Sequence, residues 1–243
     1  MRIVILTTGS LRRRYVVREL QRAFPITRVF VETRHANPPF PVAHEIDSTA
    51  RDHERQLFFD GDAPPFAALA DIEQFDRLNS PEAANAIAEA KPDILAVYGT
   101  GRIANEVIAL CPAGSVNLHG ADPEAYRGLD CPLWTIYHRD YAALVETVLR
   151  LSPEIDGGDM IAKLPVPITP GMALHEFRAS SAATVVALLT TAFRHFETDG
   201  EFKSAKQRHK GRYYSYMPAI MKDLCVRNFA KYTASLTRQE DEQ

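Results

Sequence analysis

The stretch DILAVYGTGRIANEVIALCPAGSVNLH, residues 93–119, decides the fold class of this chain. It begins with the apolar run Asp93–Tyr98, which has the composition of a strand buried on both faces. A helical pattern follows over Ile103–Leu110, and a second strand-like run, Ser115–His119, ends the stretch. Strands that are joined through a helix run parallel in one sheet. The stretch therefore predicts an α/β fold.

The same alternation of strand and helix extends in both directions along the chain. Further strands are predicted at Arg2–Thr7, Thr27–Glu32, Leu144–Leu151 and Met160–Val166, and further helices at 16–24, 48–59, 81–90, 132–140, 170–196 and 220–232. We expect a three-layer α/β domain with a mostly parallel, twisted sheet. The lengths favour a catalytic domain over residues 1–200 and a short C-terminal appendage, the helical tail, over 201–243.

Composition excludes several classes of protein. Of the 243 residues, 46% are hydrophobic and 24% charged, which is typical of a globular protein. A net charge of -3 and a pI near 6.2 give no sign of a nucleic-acid surface. No apolar run approaches the roughly 18 residues that a membrane span needs, and the N-terminus lacks a cleavable signal pattern. We expect a cytoplasmic protein that binds neither nucleic acid nor membrane.

Polar side chains gather at the end of the strand Ser115–His119. Alternation places Asn117 and His119 on the same side of the strand, at the carboxyl end where open α/β sheets bind ligands. Gly120 permits close approach of a ligand or of neighbouring backbone. Asp156, in the turn IDGGD, has two interpretations: an ordinary turn residue, or a carboxylate aimed at the same pocket.

These residues are part of a longer ordered motif. The motif comprises Asn117-Leu118-His119, Pro123, Tyr126-Arg127-Gly128, Pro132, Trp134, Asp156-Gly157-Gly158 and Ile161. In this order and spacing the chain resembles the folate-dependent formyltransferases, a family that includes glycinamide ribonucleotide, methionyl-tRNA and sugar-amine formyltransferases. The resemblance covers about residues 1–200.

The resemblance implies that a formyl group moves from 10-formyltetrahydrofolate to a primary amine. Such transfer passes through a tetrahedral intermediate whose oxygen gains negative charge and must be stabilised. By resemblance, Asn117 donates a hydrogen bond to the formyl oxygen and His119 acts as an acid or electrostatic stabiliser. Asp156 orients His119 or an ordered water. No metal is required.

The resemblance also assigns two binding surfaces. The predicted folate-binding residues are Tyr98, Gly99, Thr100, Gly101, Arg102, Ile103, Gly157 and Gly158. The predicted substrate-binding residues are Gly120, Ala121, Asp122, Tyr126 and Arg127. The family's usual His-Pro-Ser-Leu-Leu-Pro loop is replaced here by residues 119–123, which puts the acceptor in question. Arg127 has a second interpretation, namely fixing the loop after His119.

Several acceptors and one other class of function stay open. The altered loop and the aromatic tail favour an amino sugar, nucleotide-linked, over glycinamide ribonucleotide or an amino-acid amine. The large C-terminal domain of methionyl-tRNA formyltransferases has no room in this length, which argues against a tRNA acceptor. A non-catalytic folate- or nucleotide-binding module is the alternative of another class. A nicotinamide enzyme is disfavoured, because Gly9 lacks the expected glycine fingerprint.

Two further segments are candidates for contact with partners. Residues 33–66 are long and polar, and we expect acceptor contacts there; the spacing of His35, His44 and His53 matches no usual metal site. The run 211–218, with Lys210 and Arg212, either holds phosphates or serves as a connector or dimer contact. The helix over 220–232 is a candidate contact in a homodimer.

Overall fold

The computed structural model describes residues 1–34 and 37–240, with side chains described as far as Leu236. The strands are β1 (Ile3–Thr8), β2 (Ile26–Glu32), β3 (Ile72–Phe75), β4 (Ile94–Tyr98), β5 (Ser115–His119), β6 (Tyr126–Gly128), β7 (Val145–Arg150), β8 (Met160–Pro165) and β9 (Arg212–Tyr214). The helices are α1 (Leu11–Gln21), α2 (Glu45–Phe59), α3 (Pro81–Glu89), α4 (Asn105–Ile108), α5 (Cys131–His138), α6 (Leu174–Asp199) and α7 (Ala219–Glu240). Short 3-10 turns lie at Phe66–Ala68 and Tyr141–Ala143.

Seven strands form one sheet in the order β3-β2-β1-β4-β5-β7-β8. The first five run parallel, whereas β7 is antiparallel to β5 and forms an antiparallel hairpin with β8. The prediction of a mostly parallel sheet is confirmed. The parallel arrangement brings the carboxyl ends of β1, β2, β4 and β5 to one edge, where the loops that follow them meet.

Apolar side chains alternate between the two faces of the sheet and bury each face under helices. On one face Ile3 and Ile5 of β1 pack in a cluster with α1, α2 and α6, which contains the fully buried Phe193. On the other face Val4 and Leu6 pack with α3 and α4. The expected three layers are therefore present, since a strand with apolar residues at successive positions must be covered on both sides.

The C-terminal residues dock beside the main sheet. Helix α7 packs on α5 through Phe229 and Cys225, and β9 pairs in parallel with β6 in a two-stranded sheet. The division into a domain over 1–200 and an appendage over 201–243 stays a prediction. The homodimer also stays a prediction. Ile220, at the start of α7, is 86% exposed. Within the described ranges, no helix combines the length and apolar character needed to cross a bilayer.

Helices α2 and α6 are among those that begin at other residues than the sequence indicated. Helix α2 begins at Glu45, before Ser48, because His44 accepts a hydrogen bond from the amide of Ile46 and donates its own amide to Asp47. Helix α6 begins at Leu174 and not directly after Pro170, because the carboxylate of Glu176 accepts from the amide of Ala173 at 2.6 Å. Hydrogen bonds made by the side chains of His44, Asp47 and Glu176 thus set these helix starts, rather than the signals at Ser48 and Pro170.

The substitution Phe193→Ala is expected to destabilise the fold strongly. The ring is fully buried and contacts Phe24 edge-on, with ring centroids 5.6 Å apart. Its removal leaves a cavity and should cost about 3–5 kcal/mol of unfolding free energy. Urea denaturation measures this loss, with the exposed neighbour Arg194→Ala as control. Equal stability of the two variants would contradict the packing described.

Candidate active site

The site begins with three polar residues that the fold brings together. Asn117 and His119 lie on the same face of β5, and Asp156 lies in the loop between β7 and β8. The side-chain amide of Asn117 donates to Oδ1 of Asp156 at 2.9 Å. His119 Nδ1 lies 3.3 Å from Oδ2 of Asp156. The expected convergence is present, while the catalytic roles of the three residues stay predictions.

The Asp156 carboxylate is fixed from several directions. Its Oδ2 accepts the backbone amide of Gly128 at 2.8 Å. Gln207 donates to the carbonyl oxygens of Asp156 and Gly158 at 2.8 and 2.7 Å. These bonds stabilise the left-handed backbone of Asp156, whose φ is 50°. Sequence reasoning missed Gln207, because it lies in the tail and belongs to no motif.

His119 is held by both ring nitrogens. Nε2 lies 2.8 Å from the carbonyl oxygen of Tyr126, so Nε2 carries the proton and donates it. Nδ1 then faces the carboxylate of Asp156. A hydrogen bond between Nδ1 and the carboxylate therefore requires a proton that one of the two groups carries. The ring is 5% exposed, so its orientation is set by packing as well as by these bonds.

A cleft of about 1710 Å³ opens at this edge of the sheet. Its volume exceeds the roughly 300–1000 Å³ of a typical single-ligand pocket, which leaves room for two ligands at once. Asn117, His119 and Asp156 line it. All eight predicted folate-binding residues line it as well: Tyr98, Gly99, Thr100, Gly101, Arg102, Ile103, Gly157 and Gly158.

The loop after β4 has a backbone shape that glycine makes possible. Gly99 has a φ of +73°, and a Cβ there would lie 1.9 Å from the guanidinium of Arg13. Arg13 Nε donates to the carbonyl of Tyr98 at 3.2 Å, and its guanidinium lies 5.1 Å from the centroid of the Tyr98 ring. The amide of Gly101 donates to Glu32 at 2.7 Å. The loop is therefore held in one shape against the cleft.

Only part of the predicted substrate-binding set reaches the cleft. Gly120 lines it, whereas Ala121, Asp122, Tyr126 and Arg127 are not among its described lining residues. Arg127 is buried and donates to the carbonyl of Pro123, to Glu154 and to Gln207. Asp122 pairs with Lys163 at 2.6 Å, and Tyr126 stacks on Tyr214. The contacts of Arg127 agree with its second interpretation, namely that this residue fixes the loop after His119.

The two candidate partner segments meet the cleft differently. The segment 33–66 contributes these residues to the lining of the cleft: Thr33, Arg34, Ile46, Asp47, Ala50, Pro65 and Phe66. His35 lies outside the described residues. From the second, Tyr213 and Tyr216 line it, while Lys210 pairs with Glu154 and Arg212 lies over the Tyr214 ring. Within residues 1–34 and 37–240, no three His, Cys, Asp or Glu side chains gather as metal ligands.

A group of buried charges lies beside the cleft and was not predicted; of this group, Glu146 and Arg178 line the cleft. Glu54 is fully buried and pairs with Arg178 at 2.9 Å. Glu146 is 3% exposed and accepts from the Ser181 hydroxyl at 2.5 Å. Burial raises the pKa of Glu146 to about 7, despite the Ser181 bond and the nearby Arg12. The run of three arginines that opens α1 was the available sequence signal, but no spacing links it to the glutamates.

Comparison with known proteins decides the family. A model of the formyl transferase family matches residues 1–192. The chain belongs to this family. The chain is 28% identical over 169 residues to a methionyl-tRNA formyltransferase of Acetivibrio thermocellus, a match that covers 68% of this chain and 53% of the relative. The chain thus spans about half the length of that relative.

Solved structures share the fold of this chain. HypX from Aquifex aeolicus, in complex with tetrahydrofolic acid, superposes with a TM-score of 0.57 at 18% identity, over 96% of this chain and 34% of HypX. PseJ from Anoxybacillus kamchatkensis superposes with a TM-score of 0.54 at 13% identity, over 88% of this chain and 86% of PseJ. That structure holds UDP-4,6-dideoxy-4-formamido-L-AltNAc and tetrahydrofolate.

The substitution Glu146→Gln is expected to make the stability of the protein less dependent on pH. Between its ordinary pKa of 4.5 and its folded value of about 7, the folded state retains a proton that the unfolded state has lost. Wild-type stability therefore falls as pH rises through this window, and the variant escapes that loss.

Urea denaturation at about pH 5 and about pH 8 checks this sign. The stability of Glu146→Gln relative to wild type should increase with pH, while the exposed Glu89→Gln serves as control. A difference between variant and wild type that stays constant with pH would refute the assignment of the proton to Glu146.

Proposed function

We propose that this chain transfers a formyl group from 10-formyltetrahydrofolate to a primary amine. One observation carries the proposal: Asn117, His119 and Asp156 meet in the same cleft as the glycine-bearing loop 98–103. That loop presents backbone groups of the kind that bind a flat heterocycle. The side chains supply the hydrogen-bond donors and the proton-holding group that acyl transfer requires.

The chemistry of transfer follows from which N–H groups of the site are already hydrogen-bonded within the protein. The nitrogen lone pair of the amine attacks the formyl carbon, and the formyl oxygen gains negative charge. The Asn117 amide carries two N–H groups and donates one of them to Asp156, so the second is free to donate to that oxygen. Because this hydrogen bond already orients the Asn117 amide, the amide need not reorient when the charge on the formyl oxygen develops.

Proton movement completes the transfer. The attacking amine loses a proton, and the folate nitrogen that leaves with the broken C–N bond gains one. His119 and Asp156 together can hold the proton in transit, because Nδ1 faces the carboxylate while Nε2 is occupied by the Tyr126 carbonyl. The products are a formamide and tetrahydrofolate, and no covalent enzyme intermediate is needed.

For the acceptor we propose an amino sugar that is linked to a nucleotide. Tyr213 and Tyr216 line the cleft and offer aromatic faces on which a base can stack. The altered loop after His119 supports an acceptor different from the best-known ones, and PseJ, of similar fold, was solved with a UDP-linked formamido sugar. Formylation of glycinamide ribonucleotide alone, in a panel that includes UDP-linked amino sugars, would overturn this choice.

Asp156→Asn and His119→Ala are each expected to lower kcat by about 100-fold or more. Asparagine keeps the volume, but its amide nitrogen cannot accept a hydrogen bond, so the variant loses the acceptor for either Asn117 or the amide of Gly128. The measurement is amine-dependent release of tetrahydrofolate under saturating donor.

The matched control is Asp159→Asn, three residues along in the same loop. It should retain wild-type kcat, and all variants should keep the circular dichroism spectrum and thermal midpoint near wild type. Full activity of both Asp156→Asn and His119→Ala would refute the assigned roles and favour a binding module that uses other groups.

A further inference from the structure

Glu146, on β7, is a buried carboxylate that has no role in the transfer steps described so far. The residue is 3% exposed, and it lines the cleft. The Ser181 hydroxyl of α6 donates to Oε1 at 2.5 Å. Oε2 accepts no hydrogen bond from the described part of the chain, and it is not among the fully enclosed polar atoms that lack a partner there. Oε2 is therefore the atom of this carboxylate that a ligand can reach.

Glu146 approaches the reaction centre from the other face of the sheet. His119 pairs with Thr147 across β5 and β7, so the side chain of Glu146 points away from the face that carries His119. It points to the face that α1 and α6 cover, where Ser181 lies. The two faces meet at the edge of the sheet, where Gly120 directly follows His119 and lines the cleft. A ligand that crosses this edge can therefore contact both His119 and Glu146.

Gly120 leaves the carboxylate uncovered at this edge. A Cβ built on Gly120 would lie 3.6 Å from Oε1 and 3.7 Å from Oε2 of Glu146, and 3.4 Å from the Pro132 ring. Any side chain at residue 120 would thus occupy the space in front of the carboxylate. The family's usual loop has a proline at this position, and its ring would lie in that space. The glycine and the glutamate together therefore give this chain an accessible carboxylate beside the end of β5.

The surroundings of Glu146 bring its protonation into the neutral pH range. Burial raises the pKa of Glu146 to about 7, while the Ser181 hydrogen bond and the charge of Arg12 oppose the rise. The charged and titratable groups around it are Arg12 of α1, Tyr98 of β4, Glu54 of α2 and Arg178 of α6. The last two pair with each other, and burial raises the pKa of Tyr98, which stays neutral. Glu146 can therefore both accept and release a proton near neutral pH.

An acceptor amine must lose a proton before it can attack the formyl carbon. The pKa of a primary amine runs from about 8 for an α-amino group to about 10.4 for a lysine side chain, so at neutral pH most of the acceptor is an ammonium ion without a lone pair. Both nitrogens of the His119 ring already have partners, because Nε2 is bound to the Tyr126 carbonyl and Nδ1 faces Asp156. The first proton of the ammonium ion therefore needs another acceptor.

We propose that Glu146 is a catalytic base that takes a proton from the ammonium form of the acceptor. This inference rests on the proposed function and adds a residue to its mechanism. In this step one N–H bond of the ammonium ion breaks and an O–H bond forms at Oε2 of Glu146. The ammonium ion becomes a neutral amine with a free lone pair, and the carboxylate becomes a carboxylic acid. After the formamide leaves, the acid releases the proton to water.

The pH dependence of kcat/KM tests this role. The acceptor is the UDP-linked amino sugar, or else the amine of the panel that is formylated. Wild-type kcat/KM should rise with pH through about 7, as Glu146 ionises. Glu146→Gln should lose this rise and lower kcat/KM by about 100-fold near neutral pH, and the loss should shrink above about pH 9, where more of the amine is already neutral. The exposed Glu89→Gln is the control and should keep the wild-type profile.

Ser181→Ala distinguishes a base from a residue that only supports the fold, and it leaves Glu146 itself unchanged. The hydroxyl favours the ionised carboxylate, so its removal should raise the pKa of Glu146 and move the rise in kcat/KM to higher pH. A rise that stays in place in Ser181→Ala would belong to another group and would overturn the proposal. Wild-type kcat/KM in a folded Glu146→Gln would overturn it as well.

Proton release on binding tests the same contact without turnover. At about pH 6 both Glu146 and the amine are mostly protonated, so pairing them expels about one proton. Titration calorimetry of the full chain with the UDP-linked amino sugar, in buffers of different ionisation enthalpy, counts the protons released. Wild type should release about one proton more than Glu146→Gln.

The outcomes separate failure of this inference from failure of the proposed function. Equal proton release from wild type and Glu146→Gln, or no binding of the amine, would refute the role of Glu146. If formyl transfer proceeds in that case, the proposed function stands without this base. Proton release that depends on Glu146, with no formyl transfer to any amine, would support the contact and refute the proposed function.

Discussion

The carboxylate of Asp156 holds together segments that are far apart in the sequence. It accepts from Asn117 on β5 and from the amide of Gly128 on β6, and it faces the ring of His119. Its own backbone is tied to the tail through Gln207. If the carboxylate were lost, Asn117 and His119 would lose the partner that orients them. The geometry of the site therefore depends on one buried anion.

The sheet explains why these groups meet. Strand β7 runs antiparallel to β5 and ends at Arg150, beside Val116, so the loop between β7 and β8 starts near the beginning of β5. Asp156 in this loop contacts Asn117 and lies 3.3 Å from the ring of His119. The loop 98–103 follows β4, the parallel neighbour of β5, and reaches the same edge. The backbone proposed to bind the donor and the candidate catalytic side chains thus lie on adjacent strands, while α1 and α6 contribute further side chains to the same cleft.

The sequence predicted what local patterns encode. The apolar runs gave β1, β4 and β5, and the ordered motif indicated Asn117, His119 and Asp156. The sequence patterns did not reveal β3, which is short and carries polar residues at the edge of the sheet. They also did not reveal β9, which is defined by its pairing with β6. Gln207 and Glu146 were missed for a related reason: their roles arise from contacts between distant elements, and no spacing in the chain records them.

The most direct test of the account is to mix the chain with 10-formyltetrahydrofolate and a panel of primary amines and to follow tetrahydrofolate release together with formamide formation. The account predicts release that requires the amine and equals the formamide formed, mole for mole. Folate that binds in the cleft and is never deformylated in the presence of any amine would contradict it.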